Sequence, residues 1–124
     1  MEMVLFIAGF GAFGCLSRFY LSSWVYALLG RGFPYGTFAV NILGAFFIGL
    51  VMEFSLASTL ISQNLRMGLT VGFMGGFTTF STFSFETFKL LEDGQFMVAL
   101  ANVLLSVVVC LLFTWLGIIA ARQF

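Results

Sequence analysis

Gly72-Phe73-Met74-Gly75-Gly76-Phe77-Thr78-Thr79-Phe80-Ser81-Thr82-Phe83-Ser84-Phe85-Glu86 is the stretch that decides how this chain is built. Residues 67–72 before its centre and 82–91 after it read as apolar membrane helix, whereas the centre carries Gly75-Gly76 and Thr78-Thr79. Glycine weakens a helix interior and threonine hydroxyls compete for backbone groups. The pattern therefore predicts a third helix broken near residues 75–79, with carbonyls left without intrahelical partners. In hydrocarbon, irregular backbone is tolerated only where protein surrounds it or where it lines a cavity, and there it tends to coordinate ions. The break is the expected functional centre.

Working outward, apolar runs fill the chain: 61% of the 124 residues are hydrophobic, 8% are charged, and the mean hydropathy is +1.13. A soluble domain of this size does not carry such a composition, so the expected class is an all-α integral membrane protein. A span takes about 20 residues. Four fit, near 3–29, 34–59, 66–92 and 95–121, making residues 1–124 a single four-helix transmembrane subunit with no room for a soluble domain. The start Met1-Glu2-Met3 has no basic region of the signal-peptide kind, so the first span is expected to be retained. Cys15 and Cys110 fall inside spans and read as small hydrophobes. With no His and five scattered carboxylates, metal cages and acid/base pairs of the enzymatic kind find little material, and the chain is read as a non-enzyme.

Charge distribution says more than its zero sum. Four spans put both termini on one side, so Arg66 and Arg122 face one compartment, Arg31 and Lys89 the other, and Arg18 lies within the first span. Orientation follows a Lys/Arg imbalance, and here there is none. Dual topology is the expectation, with oppositely inserted copies free to pair as an antiparallel homodimer.

Several polar residues sit inside the spans. Arg18 follows Gly9, Gly11 and Gly14; it either snorkels to an interface or acts electrostatically within the bundle, for example by drawing anions into a vestibule. Thr37 and Asn41 lie one turn apart on the second helix, and the Asn41 amide serves either as interhelical glue or as a donor to an anion. Glu53 falls near an interface. Gly68, Gly72 and Gly76 recur every four residues, a small-residue packing face. Beyond the break, Phe77, Phe80 and Phe83 share a three-residue rhythm with Thr78, Ser81 and Ser84, and Glu86 closes the row either at the interface or as a carboxyl accepting from hydroxyls. Asn102, Ser106, Cys110 and Thr114 make a polar stripe on the fourth helix that either binds neighbouring helices or lines a wetted route.

Hydroxyl and amide rows suit a small anion that must lose water. Phenylalanine edges carry positive quadrupole density, so Phe80 and Phe83 presented edge-on stabilise an anion without trapping it, which conduction requires. Carbonyls freed at the break have the opposite preference. Contributed by two crossing copies, they would form a dehydrated Na+ site at a dimer centre, acting as a structural keystone.

Gly75-Gly76-Phe77-Thr78-Thr79-Phe80-Ser81-Thr82-Phe83 with Glu86, Gly14-Cys15-Leu16-Ser17-Arg18-Phe19 and Asn41-Ile42-Leu43-Gly44-Ala45-Phe46 resemble the motifs of the Fluc (CrcB) fluoride channels. The resemblance covers all four spans. It implies an antiparallel homodimer in the bacterial inner membrane, passively exporting fluoride through two pores. It implies that Phe80 and Phe83 are pore phenylalanines drawn from different subunits and that Asn41 is the pore amide. Backbone carbonyls of Gly75 and Thr78 from both copies would hold a central Na+. Ser81, Ser84, Ser106 and Thr114 would belong to the polar track, with Thr37 and Glu86 nearby. Cys110 departs from the family's hydroxyl. The rival class is a small multidrug-type proton-coupled antiporter, which wants a mid-membrane carboxylate that Glu2, Glu53 and Glu86 do not obviously supply.

Overall fold

A computed structural model describes residues 1–124, in which every regular element is a helix and there is no strand. Helix α1 (Glu2–Leu29) stops at Gly30, whose φ of 80° and ψ of −173° lie in a region that a side chain makes costly, and whose N–H closes on the Tyr26 carbonyl. Pro34 precedes α2 (Tyr35–Ala57). After α2 come α3 (Gln63–Met67), capped by the Ser62 hydroxyl accepting from Leu65 N–H at 3.2 Å, a π-helical segment (Gly68–Met74) and α4 (Gly75–Phe77). Helix α5 (Phe80–Glu92) and α6 (Phe96–Ala121) complete the chain, joined at Gly94 with φ 75°.

Helices α1, α2 and α6 are each long and apolar enough to cross a membrane, at 28, 23 and 26 residues. The remaining passage is in pieces. Asn64 donates to Glu2 at the start of α1, and Tyr26 near its end donates to Glu86, so residues 64–86 run alongside α1 in the same direction. Its pieces are too short to count as spans separately: the π segment has 7 residues and α5 has 13.

Within the expected stretch 75–79, the interruption falls at the threonines and not at the glycines. Gly75 is ordinary right-handed helix, with φ −61° and ψ −37°, whereas Thr78 (φ −90°, ψ 160°) and Thr79 (φ −151°, ψ 116°) are extended. The reason is contact. A Cβ on Gly76 would come within 2.8 Å of the Gly11 carbonyl and 3.0 Å of Cys15 N, so that glycine serves close approach to α1. Gly72 does the same against Ile7 and Gly11, and Gly68 against Phe10. The π segment, whose bonds reach one residue further than in an α-helix, runs through this seam and had no signal in the spacing. A second seam joins α2 to α6, where Gly49 lies on the Thr114 backbone and Gly117 on that of Phe46 and Leu50. In lipid such close backbone approach is what holds helices together.

Candidate functional site

Between α2, the break, α5 and α6 lies an open groove of about 550 Å³. Asn41, Gly75, Thr78, Phe80, Phe83, Ser106 and Thr114, all expected to matter from sequence, line it together with Thr79 and Cys110. Asn41 forms two bonds to one backbone residue: its Oδ1 accepts from Thr79 N–H at 2.8 Å and its Nδ2 donates to the Thr79 carbonyl at 3.1 Å. A flipped amide would set like against like, so the orientation is fixed and one amide N–H remains free. Thr79 also caps α5, its Oγ1 accepting from Thr82 N–H at 3.1 Å.

These bonds define what the break leaves over. Thr78 N–H closes on the Met74 carbonyl, while the N–H groups that would close on Gly75 and Thr78 go to side chains. The carbonyls of Gly75 and Thr78 have no protein partner. No three His, Cys, Asp or Glu side chains come together, so backbone oxygens are the donors on offer for a hard cation such as Na+, and they suit it. Gly75 is exposed on the groove, and a Cβ there would meet only the Thr70 carbonyl, at 4.0 Å.

Phe80 and Phe83, one turn apart on α5, hold their rings 5.5 Å apart at 40°, with Phe80 78% exposed at the rim. On α6 the stripe divides. Asn102 is fully enclosed and donates to Thr87 Oγ1 at 2.8 Å, and Ser106 Oγ reaches Asn102 Oδ1 at 3.4 Å. Thr114 Oγ1 donates to the Cys110 carbonyl at 3.0 Å. Both groove hydroxyls thus carry internal bonds that an ion would have to redirect by rotating the O–H.

Other expected residues lie off the groove. Ser81 and Ser84 are exposed on another side of α5, although Ser81 Oγ stays 3.3 Å from Thr79 Oγ1. Thr37 and Glu86 form a separate cluster with Tyr26, in which Glu86 accepts from Tyr26 at 2.5 Å and from Thr37 Oγ1. The cluster opens on a pocket of about 200 Å³ lined also by Arg31 and Lys89, with the Arg31 guanidinium 4.2 Å over the Tyr26 ring. Arg18 reaches neither site, and its buried Nε has no partner. A larger groove of about 930 Å³ beside α1 is almost wholly apolar and offers an ion nothing.

Tyr26 and Thr87 were not singled out from sequence, although signals existed. Arg18, Ser22 and Tyr26 recur every four residues, and Thr87 extends the three-residue rhythm of Thr78, Ser81 and Ser84.

Residues 5–118 match the family model described as CrcB-like protein, Camphor Resistance (CrcB). The chain belongs to that family. Among its CrcB-family relatives, the fluoride-specific ion channel FluC of Geotalea uraniireducens (strain Rf4) is 72% identical over 98% of both chains. The protein of the same name from Geotalea daltonii is 70% identical over 98% of both. That of Geobacter sulfurreducens is 65% identical over 99% of both.

Proposed function

We propose that the chain is a fluoride-selective channel, a multi-pass protein of the bacterial plasma membrane that lets F⁻ leave the cell down its gradient. No chemical step is involved. Full-length similarity to proteins named fluoride-specific ion channels supports the ion, and the groove supports the route.

One observation carries the finer reading: the groove holds unpartnered polar groups of the break and is open on its flank. Unpartnered carbonyls and an amide N–H facing lipid would each cost several kcal/mol, on the order of 2 to 7 in apolar surroundings. A second, inverted copy laid over this face removes that cost. Gly75 fits such an approach, since nothing within its own chain accounts for a missing side chain there. In the dimer, Gly75 and Thr78 carbonyls from both copies would hold a structural Na+, which neutralises the crowded oxygens and raises the local potential for anions. Phe80 and Phe83, at the rim, would meet a pore shared with the partner, giving two pores per dimer. Asn41 supplies its free N–H; Ser106 and Thr114 supply hydroxyls along the track, with Ser81 and Ser84 at its margin. The Tyr26, Thr37 and Glu86 cluster stands at one end with Arg31 and Lys89, and Arg18 acts in the electrostatics of the bundle.

The antiporter reading loses ground because its carboxyls are engaged: Glu86 is tied to Tyr26 near the end of α1 and Thr37 near the start of α2, and Glu53 pairs with Arg122 at 2.9 Å. Reconstituted liposomes test the choice. Fluoride efflux without chloride efflux is expected, and proton-coupled export of a cationic dye would replace the channel by the antiporter.

A further inference from the structure

Two side chains intercept two backbone N–H groups at the break. In an uninterrupted helix, Thr79 N–H would bond the Gly75 carbonyl and Thr82 N–H the Thr78 carbonyl, each four residues back. Here Asn41 Oδ1 takes the first at 2.8 Å and Thr79 Oγ1 takes the second at 3.1 Å. Asn41 then returns a bond to the Thr79 carbonyl at 3.1 Å, acting as a strand neighbour would and holding Thr79 extended. Among the carbonyls that the break releases are those of Gly75 and Thr78.

We propose that Asn41 and Thr79 are the positioning residues of the cation site: by accepting the Thr79 and Thr82 N–H groups they keep the Gly75 and Thr78 carbonyls free for Na+. The inference rests on the cation reading given above and adds to it a role for Asn41 separate from donation to an anion. Asn41 contributes an acceptor to the break and its remaining N–H to the groove, so one side chain couples the two sites. Thr79 acts only through its hydroxyl oxygen, which is within 3.0 Å of Thr82 Oγ1 and 3.3 Å of Ser81 Oγ.

The test is the Na+ dependence of subunit association, read by energy transfer between labelled subunits in detergent, with NaCl replaced by N-methyl-D-glucamine chloride at constant ionic strength. The site forms anew at each association, so slow exchange from a closed dimer does not obscure the result. Asn41→Leu and Thr79→Val, which remove the acceptors at similar volume, are expected to raise the Na+ concentration at half-association at least tenfold, about 1.4 kcal/mol. Thr79→Ser keeps the acceptor and is expected to stay within threefold of the parent. A parent midpoint retained by both Asn41→Leu and Thr79→Val overturns the proposal while leaving the cation reading intact. A parent protein indifferent to Na+ overturns both. Should Asn41→Leu fail to fold, Thr79→Val against Thr79→Ser decides alone.

Discussion

Phe80 and Tyr26 show how differently single side chains are placed in this fold. Phe80 is 78% exposed in the subunit and touches little besides Phe83, so Phe80→Ile is expected to change subunit stability by less than about 0.5 kcal/mol. Fluoride flux from liposomes should nonetheless be lost while dimers persist in size-exclusion chromatography; unchanged flux would remove the ring edge from the mechanism. Tyr26 is the reverse case. Its hydroxyl donates to Glu86, a residue 60 positions away, and shares the Thr37 hydroxyl at 3.2 Å. Tyr26→Phe leaves Glu86 with Thr37 alone and is expected to cost roughly 1.5 to 3 kcal/mol, the usual worth of a hydrogen bond to a charged group, measured as a lowered midpoint of denaturant unfolding in detergent.

At the scale of elements, glycine seams hold the subunit. Gly117 has the Leu50 N 2.9 Å from where a Cβ would sit, with Phe46 backbone closer still, whereas Gly9 on α1 has nothing within 4 Å. Gly117→Ala is therefore expected to push α6 from α2 at a cost of about 1 to 3 kcal/mol. Gly9→Ala should stabilise by up to about 1 kcal/mol, because alanine is the better helix former and meets no obstacle. Equal effects of the two, in the same unfolding assay, would mean that the seams do not carry the packing. The seam of Gly68, Gly72 and Gly76 was legible in the sequence because small residues repeat there with the helical period, whereas Gly117 stands alone on α6. The π segment was not legible, nor was the choice of the threonines over the glycines within the stretch 75–79. Glycine marks permission for a backbone to deviate, and whether it deviates depends on what the neighbouring helix offers: the Gly11 carbonyl and Cys15 N beside Gly76 keep that residue helical, and the Asn41 amide draws Thr79 out.

The whole molecule has an open flank. The groove beside the break and Gly75 face outward, and the cationic residues near its ends are balanced, with Arg66 and Arg122 at one and Arg31 and Lys89 at the other. Arg122 pairs with Glu53 at a largely exposed position, and such a pair contributes little to stability, about 0 to 1 kcal/mol. Its weight in topology is larger. Arg122→Gln changes two against two into one against two, so most copies should insert with the Arg31 and Lys89 end in the cytoplasm. Accessibility of single engineered cysteines to an impermeant thiol reagent should become one-sided, and flux should fall with the loss of inverted partners. Two-sided labelling that persists in this variant would show that orientation is set elsewhere.

What the sequence determined by itself was the class of protein, the number of passages, the glycine faces, the polar stripes and the family whose motifs it carries. Those features are local: hydropathy is set by the solvent a residue can tolerate, and periodicity by the geometry of one helix. What the tertiary structure decided was which polar groups are already committed. Asn41 meets Thr79 across 38 residues, and Tyr26 meets Glu86 across 60. In a medium without water, a backbone donor or acceptor released from its own helix must find a partner on another element or go without, and spacing along one helix does not reveal which carbonyls will be left.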